Sequence, residues 1–211
     1  MRRTEKYAAV TRDEGNAADG RFPTASIARR IRMNILNLYF STTGNTEKVA
    51  LNIEKTVQDL GHNVNTLKIT GKHTEVEILD YEFVFVGSGV YQQLPGKPLM
   101  ELFRELLQAY VKRGEIVSGA PRRPNAKTVV YCTYGGAHTG INEAIPAVKY
   151  MGQLLDHLGY TIVGEWYLVG QYNTERLRDR SLDGRLGDIR GRPNEEDLRD
   201  VSEKVKGILR I

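Results

Sequence analysis

One cysteine stands in a chain of 211 residues. A lone thiol excludes a disulfide framework, a four-thiolate zinc site and a Cys-ligated iron–sulfur cluster. No stretch approaches the run of about 18 apolar residues needed to span a bilayer. Charge of one sign is scarce as well, since 30 Lys+Arg against 26 Asp+Glu leave only +4. With 40% hydrophobic residues, the chain is too apolar and too weakly charged to be disordered. Its length fits one ordinary domain, or at most two small ones, with a sizeable core. The expectation is a soluble globular protein of a reducing compartment, the cytoplasm, with no membrane partner.

The small positive charge is confined to one end. Residues 1–32 carry eight basic side chains and four acidic ones, leaving 22 of each sign in residues 33–211. The basic stretch is polar and lacks any apolar period of 2 or 3.6 residues, so it reads as a disordered arm rather than a nucleic-acid surface. Arg29-Arg30-Ile31-Arg32 precedes an apolar run, but that run is short and leads into Ser-Thr-Thr-Gly, unlike an export signal. Met33 offers an alternative start. The division expected is an arm over 1–32 and one domain over 33–211.

From Asn34 onward, strand-like and helix-like patterns alternate. Ile35–Phe40, Asn63–Ile69, Phe83–Val86, Thr128–Thr133 and Thr161–Val169 read as strands. Between them, helical spacing joins Val49, Ile53, Val57 and Leu60, then Leu99, Phe103, Leu106 and Tyr110, then Ile141, Ile145, Val148, Met151 and Leu155. Gly61 and Gly159 stand where helices end, and Pro98 where one begins. A last helix starts at Pro193-Asn194-Glu195-Glu196-Asp197 and carries Leu198, Val201, Val205 and Ile208 on one face. Five strands separated by helices predict an α/β fold, a three-layer, doubly wound, five-stranded parallel sheet. In such sheets ligands bind beyond the carboxyl ends of the strands, at the switch in strand order.

After the first strand comes Ser41-Thr42-Thr43-Gly44-Asn45-Thr46, leading straight into a helix. Hydroxyls and amides on a tight turn supply neutral donors, Gly44 permits an unusual backbone angle, and the helix N-terminus favours an anion. An N-cap needs one such residue; a run of them points to an anion cradle. The spacing is neither that of a Walker loop nor that of a Gly-x-Gly-x-x-Gly dinucleotide turn.

This loop resembles the [ST]-x-[ST]-Gly-x-Thr loop of the flavodoxin-like family, and the resemblance runs over essentially all of residues 33–211. It implies a strand order of 2-1-3-4-5 and a bound FMN whose phosphate sits in the loop without a basic side chain. Flavodoxin is itself a standing example of the switch-point rule. Gly87-Ser88-Gly89-Val90-Tyr91 after the third strand is similar to the loop that lines one side of the flavin ring. Val90 and Tyr91 would form its face, and Gly89 stands where related sequences often place proline. Thr133-Tyr134-Gly135-Gly136-Ala137-His138 after the fourth strand would be the second ring loop. His138 is either a donor near the ring or an unpaired surface histidine. The resemblance thus assigns Ser41–Thr46, Ser88–Tyr91, Thr133, Tyr134, Gly135, Gly136 and His138 to the cofactor. None is assigned as catalytic and none as a metal ligand; Cys132 reads as buried filler.

After the fifth strand the chain runs through 22 residues, Gln171–Arg192, with six arginines. A connection this long is either a solvated connector, partly helical over Thr174–Leu182, or functional. The functional reading is a docking surface or lid for an acidic partner or a nicotinamide phosphate. Lys112, Arg113, Arg122, Arg123 and Lys127 belong to the opposite end of the sheet. The resemblance implies an electron carrier acting between redox partner proteins. The alternatives are an NAD(P)H-dependent flavin or quinone reductase, and a binding or regulatory module without flavin. Oligomeric state is left open.

Overall fold

The computed structural model describes residues 32–71 and 74–210. The basic arm expected at the N-terminus lies outside them, apart from Arg32. The described chain begins with β1 (Asn34–Phe40), α1 (Asn45–Asp59) and β2 (Asn63–Lys68). β3 (Phe83–Tyr91), the two-residue β4 (Leu94–Pro95) and α2 (Lys97–Lys112) follow. Next come β5 (Lys127–Tyr134), α3 (Ile145–His157) and β6 (Thr161–Val169). A single turn, α4 (Arg180–Asp183), and α5 (Glu195–Leu209) complete the fold. The parallel strands lie in the order β2-β1-β3-β5-β6, and β4 pairs antiparallel with β3. Counting the parallel strands alone, this is the expected path 2-1-3-4-5.

Alternation along the central strands divides the core in two. Ile35, Tyr39, Phe83, Phe85, Val129 and Tyr131 face α1 and α5, whereas Leu36, Leu38, Val84, Val86, Val130 and Cys132 face α2 and α3. The strands are apolar on both sides because both faces are covered. One polar residue interrupts this pattern. Asn37, fully buried on the α1 face, donates to the carbonyl of Ala50 at 2.8 Å and accepts the Tyr131 hydroxyl at 3.1 Å. It therefore ties β1 to α1 and β5 with its hydrogen-bonding groups satisfied. α1 and α5 are joined by Asn52, which donates to the Leu198 carbonyl and to Ser202 Oγ.

Two expectations need correction. The helical stripe expected from Ile141 starts later. Gly140–Glu143 is a 3-10 turn, Ile141 is exposed, and the buried stripe begins at Ala144. The third strand does not stop at Val86. It continues to Tyr91 because Gly87, Ser88 and Gly89 pair with Tyr131, Cys132 and Thr133 of β5. The turn comes at Gln92 and Gln93, both at positive φ. Gly87 sits in a strand because a neighbour crowds it: a Cβ there would lie 2.1 Å from the Tyr131 ring.

Candidate functional site

The switch in strand order falls between β1 and β3, and a cleft of about 190 Å³ opens there at the carboxyl edge of the sheet. Its lining carries no charged side chain. One wall is the turn from β1 into α1. Gly44 is left-handed at φ 92° and begins the helix, whose N-terminus no side chain caps. The first helical N–H groups have no intrahelical partner by geometry, so an uncapped N-terminus offers them to an anion. Ser41, Asn45 and Thr46 are buried and spend their side chains on the structure. Ser41 Oγ accepts the Gly44 N–H at 3.2 Å, and Thr46 shares a 2.8 Å hydrogen bond with Thr133 Oγ1 at the end of β5. Thr42 and Thr43 remain exposed on the lip.

Val90 and Tyr91 of β3 form the second wall. The Tyr91 ring meets Phe40 edge-on at 5.8 Å, and its hydroxyl lies 2.8 Å from Thr42 Oγ1, so it bridges the two sides of the cleft. The third wall is the end of β5, with Thr133, Tyr134 and Gly135. Burial pushes the Tyr134 and Tyr172 hydroxyls above the ordinary tyrosine value, which keeps both as neutral hydrogen-bonding groups.

Eleven of the residues expected at a site thus line one cleft. Four do not. Gly44 acts through the backbone turn behind it. Ser88 is fully buried inside the sheet, donating to the Gly89 carbonyl at 2.8 Å and accepting the Gly96 N–H at 3.0 Å, so it closes the β3–β4 turn. Gly136, at φ 55°, is packed against the Gly140 backbone. His138 is exposed, and its Nε2 lies 3.3 Å from Arg180 Nη1. Cys132 is fully buried, and burial pushes its thiol up.

The fourth wall comes from the start of the long connector. Gly170, Gln171, Tyr172, Asn173, Thr174 and Leu177 line the cleft, and none was among the residues expected there. The arginines of this stretch had drawn attention, whereas its amides and tyrosine are the groups that reach the site. Tyr172 lies over Gly135, where a Cβ would meet its ring at 2.3 Å. The connector is well anchored. Ser181, buried, accepts the Tyr172 N–H at 2.9 Å and receives the Ile189 N–H on its carbonyl, while the Arg185 N–H reaches the Ala137 carbonyl. Arg190 pairs with Asp188 and Arg192 with Asp197. Among the described residues, Arg176, Arg178, Arg180 and Arg185 form no ion pair, and all four are exposed. At the far end of the sheet, Arg113 pairs with Glu77 and Arg123 with Glu115, away from the cleft as expected.

No protein-family model matches the chain, and no curated protein sequence matches it. Solved structures do match. The Streptococcus pneumonia TIGR4 flavodoxin superposes with a TM-score of 0.54 at 18% identity, over 83% of this chain and 99% of that one. Oxidised flavodoxin 1 from Bacillus cereus gives 0.57 at 12% identity, over 84% and 97%. The rubredoxin oxygen:oxidoreductase of Desulfovibrio gigas gives 0.51 at 15% identity, where 84% of this chain spans 36% of that larger one. Among the described residues, no helix is long and apolar enough to cross a membrane. Sheet order, layering and these superpositions together establish that the chain has a flavodoxin-like fold.

Proposed function

We propose that the cleft binds FMN and that the protein carries electrons between redox partners. The observation that supports this most directly is the uncapped N-terminus of α1 opening into a cleft without charged side chains. Such a site suits a phosphate held by oriented N–H groups and hydroxyls, because the helix end supplies the favourable field that a lysine would otherwise provide. Thr42 and Thr43, both exposed residues, add hydroxyls at the same point, that of Thr42 shared with Tyr91. Tyr91 and Val90 on one side, with Tyr134, Tyr172 and Gly135 on the other, would take the apolar ring, and Gly89 and Gly135 let backbone approach it. Bound FMN would supply the redox chemistry. The chain's own residues would bind and orient it, exclude water from its inner edge, and present backbone donors to the ring nitrogens. Cys132 would take no part, being buried and held as a thiol.

A second reading, an NAD(P)H-dependent reductase, draws on one feature. Among the described residues, four arginines without an ion pair stand on the connector whose start forms a wall of the cleft, where a nicotinamide phosphate or an acidic partner would find cations. One anaerobic experiment separates the readings. The purified chain is loaded with FMN, NADPH or NADH is added, and the flavin absorbance is followed. A carrier keeps its colour until a redox partner or dithionite is supplied, while a reductase bleaches at once. Failure of the chain to take up FMN would overturn both and leave the flavin-free module.

A further inference from the structure

The anion end of the cleft would depend on the direction of neutral donors alone. With no charged side chain in its lining, whatever holds a phosphate there must be N–H groups and hydroxyls already pointing the right way. Yet the turn that carries them has little intrinsic rigidity. Thr42 and Thr43 are exposed, Gly44 is a permissive left-handed residue, and α1 has no side-chain cap. The Thr43–Gly44 peptide is nevertheless pinned at both ends. Its N–H donates to Ser41 Oγ at 3.2 Å, and its carbonyl oxygen accepts from Asn173 Nδ2 at 2.9 Å.

Asn173 does more than hold that carbonyl. The same Nδ2 donates to Asn45 Oδ1 at 3.0 Å, while Asn45 Nδ2 donates to the Gln171 carbonyl at 2.8 Å. Gln171 Nε2 donates to Asn173 Oδ1 at 2.6 Å and so sets the orientation of the Asn173 amide. Gln171 Oε1 in turn accepts the Gly191 N–H at 2.7 Å, which anchors the brace to the far end of the connector. Gly170 allows the close approach, since a Cβ there would lie 2.8 Å from Asn45 Nδ2. Three amide side chains thus join the helix-capping turn to a segment about 130 residues away in the chain.

We infer that Asn173 is a positioning residue for the phosphate turn, and that through it the long connector sets the site's preference for a phosphorylated flavin. The inference rests on the reading of the cleft as an FMN site. Without the brace, the Thr43–Gly44 peptide can rotate, and its carbonyl can turn toward the phosphate and repel it. The flavin ring would rest against Val90, Tyr91, Tyr134 and Tyr172, none of whose side chains bonds to that peptide, so the rotation would leave its contacts in place.

The test compares FMN with riboflavin, which lacks the phosphate, by quenching of flavin fluorescence in the wild-type chain and in Asn173→Ala and Asn173→Asp. Asn173 is exposed, so both variants should fold, and circular dichroism checks this. For Asn173→Ala, FMN binding should weaken about tenfold, the loss of its two modest hydrogen bonds to the turn, with riboflavin affinity changed far less. Asn173→Asp should discriminate further against FMN, because its carboxylate faces the Thr43 carbonyl and the phosphate alike. Hydrogen exchange at residues 42–46 of the cofactor-free chain should speed up in Asn173→Ala. An unchanged FMN-to-riboflavin ratio, or an equal loss for both ligands, would overturn the positioning role while leaving the FMN site standing. A wild-type chain that takes up no FMN would overturn the site reading and this inference with it.

Discussion

Replacing Gly135 by alanine asks whether Tyr172 is truly a wall of the cleft. Gly135 lies outside the positive-φ region, so its backbone accepts an L-residue, and any cost must come from space. The added Cβ would sit 2.3 Å from Cε2 and Cζ of the Tyr172 ring and 2.7 Å from its hydroxyl oxygen. Relief requires the ring to move by about 1 Å or more, since ordinary carbon–carbon contact begins near about 3.5 Å. That movement gives up the packing on Gly135 and the bond in which the Ala137 N–H donates to the Tyr172 hydroxyl at 3.3 Å. Overpacking of this kind costs roughly 2 kcal/mol. In a domain of this size, a loss of about 2 kcal/mol lowers the melting temperature by about 4–8 °C. The decisive measurement is a double-mutant cycle by urea unfolding, with Tyr172→Ala as the second change. In the Tyr172→Ala background the Gly135→Ala substitution should be close to neutral. An equal loss in both backgrounds would mean that the ring does not occupy that space.

Three further expectations concern other parts of the molecule. Glu77 feels burial, which raises its carboxyl pKa, but hydrogen bonds from Arg113, the Tyr110 hydroxyl and the Leu79 N–H outweigh it and hold the value below the ordinary one. Its contribution to stability is therefore complete above the unfolded value of about 4.3 and is lost as pH falls through the lower folded value. Glu77→Ala, which strips the buried Tyr110 hydroxyl of its acceptor, should cost about 1–3 kcal/mol at pH 7. Urea unfolding should show that deficit shrinking at pH 3, and a deficit that grew in acid would contradict the sign. Cys132, buried with its thiol pushed up, should resist a thiol reagent at pH 8 in the native chain and react once in denaturant. Rapid native labelling would refute its placement. Changing Arg176, Arg178, Arg180 and Arg185 together to glutamine should slow reduction by an acidic partner or by NADPH on the order of tenfold at low salt, with flavin affinity retained. Unchanged rates would remove the connector from any docking role.

Much of the fold was legible because its signals are local. Gly61 stands at φ 85° just past α1, and Asn194 and Asp197 form a capping box at the start of α5. Each is a short-range backbone requirement that a few adjacent residues can announce. The β3 boundary was not legible. Gly87-Ser88-Gly89 has the composition of a turn, and its place inside a strand depends on Tyr131 from another strand filling the space above it. The Ile141 stripe failed for a similar reason. Spacing alone marks it as helical, while the Gly140 turn at φ 64° places it outside the helix.

The site divides along the same line. The sequence by itself determined the class of sheet, the edge at which the cleft opens, and the hydroxyl-rich turn that lines it. Those follow from periodicity and from residues adjacent in the chain. Only the tertiary structure decided which donors remain available. It buried Ser88 as a strut, carried His138 out of the cleft, and brought Gln171, Tyr172 and Asn173 against the turn at Thr43. The physical reason is separation along the chain. A hydrogen bond between residues 130 positions apart leaves no periodic trace, and its two amides become partners only when folding sets β1 and β6 into one sheet.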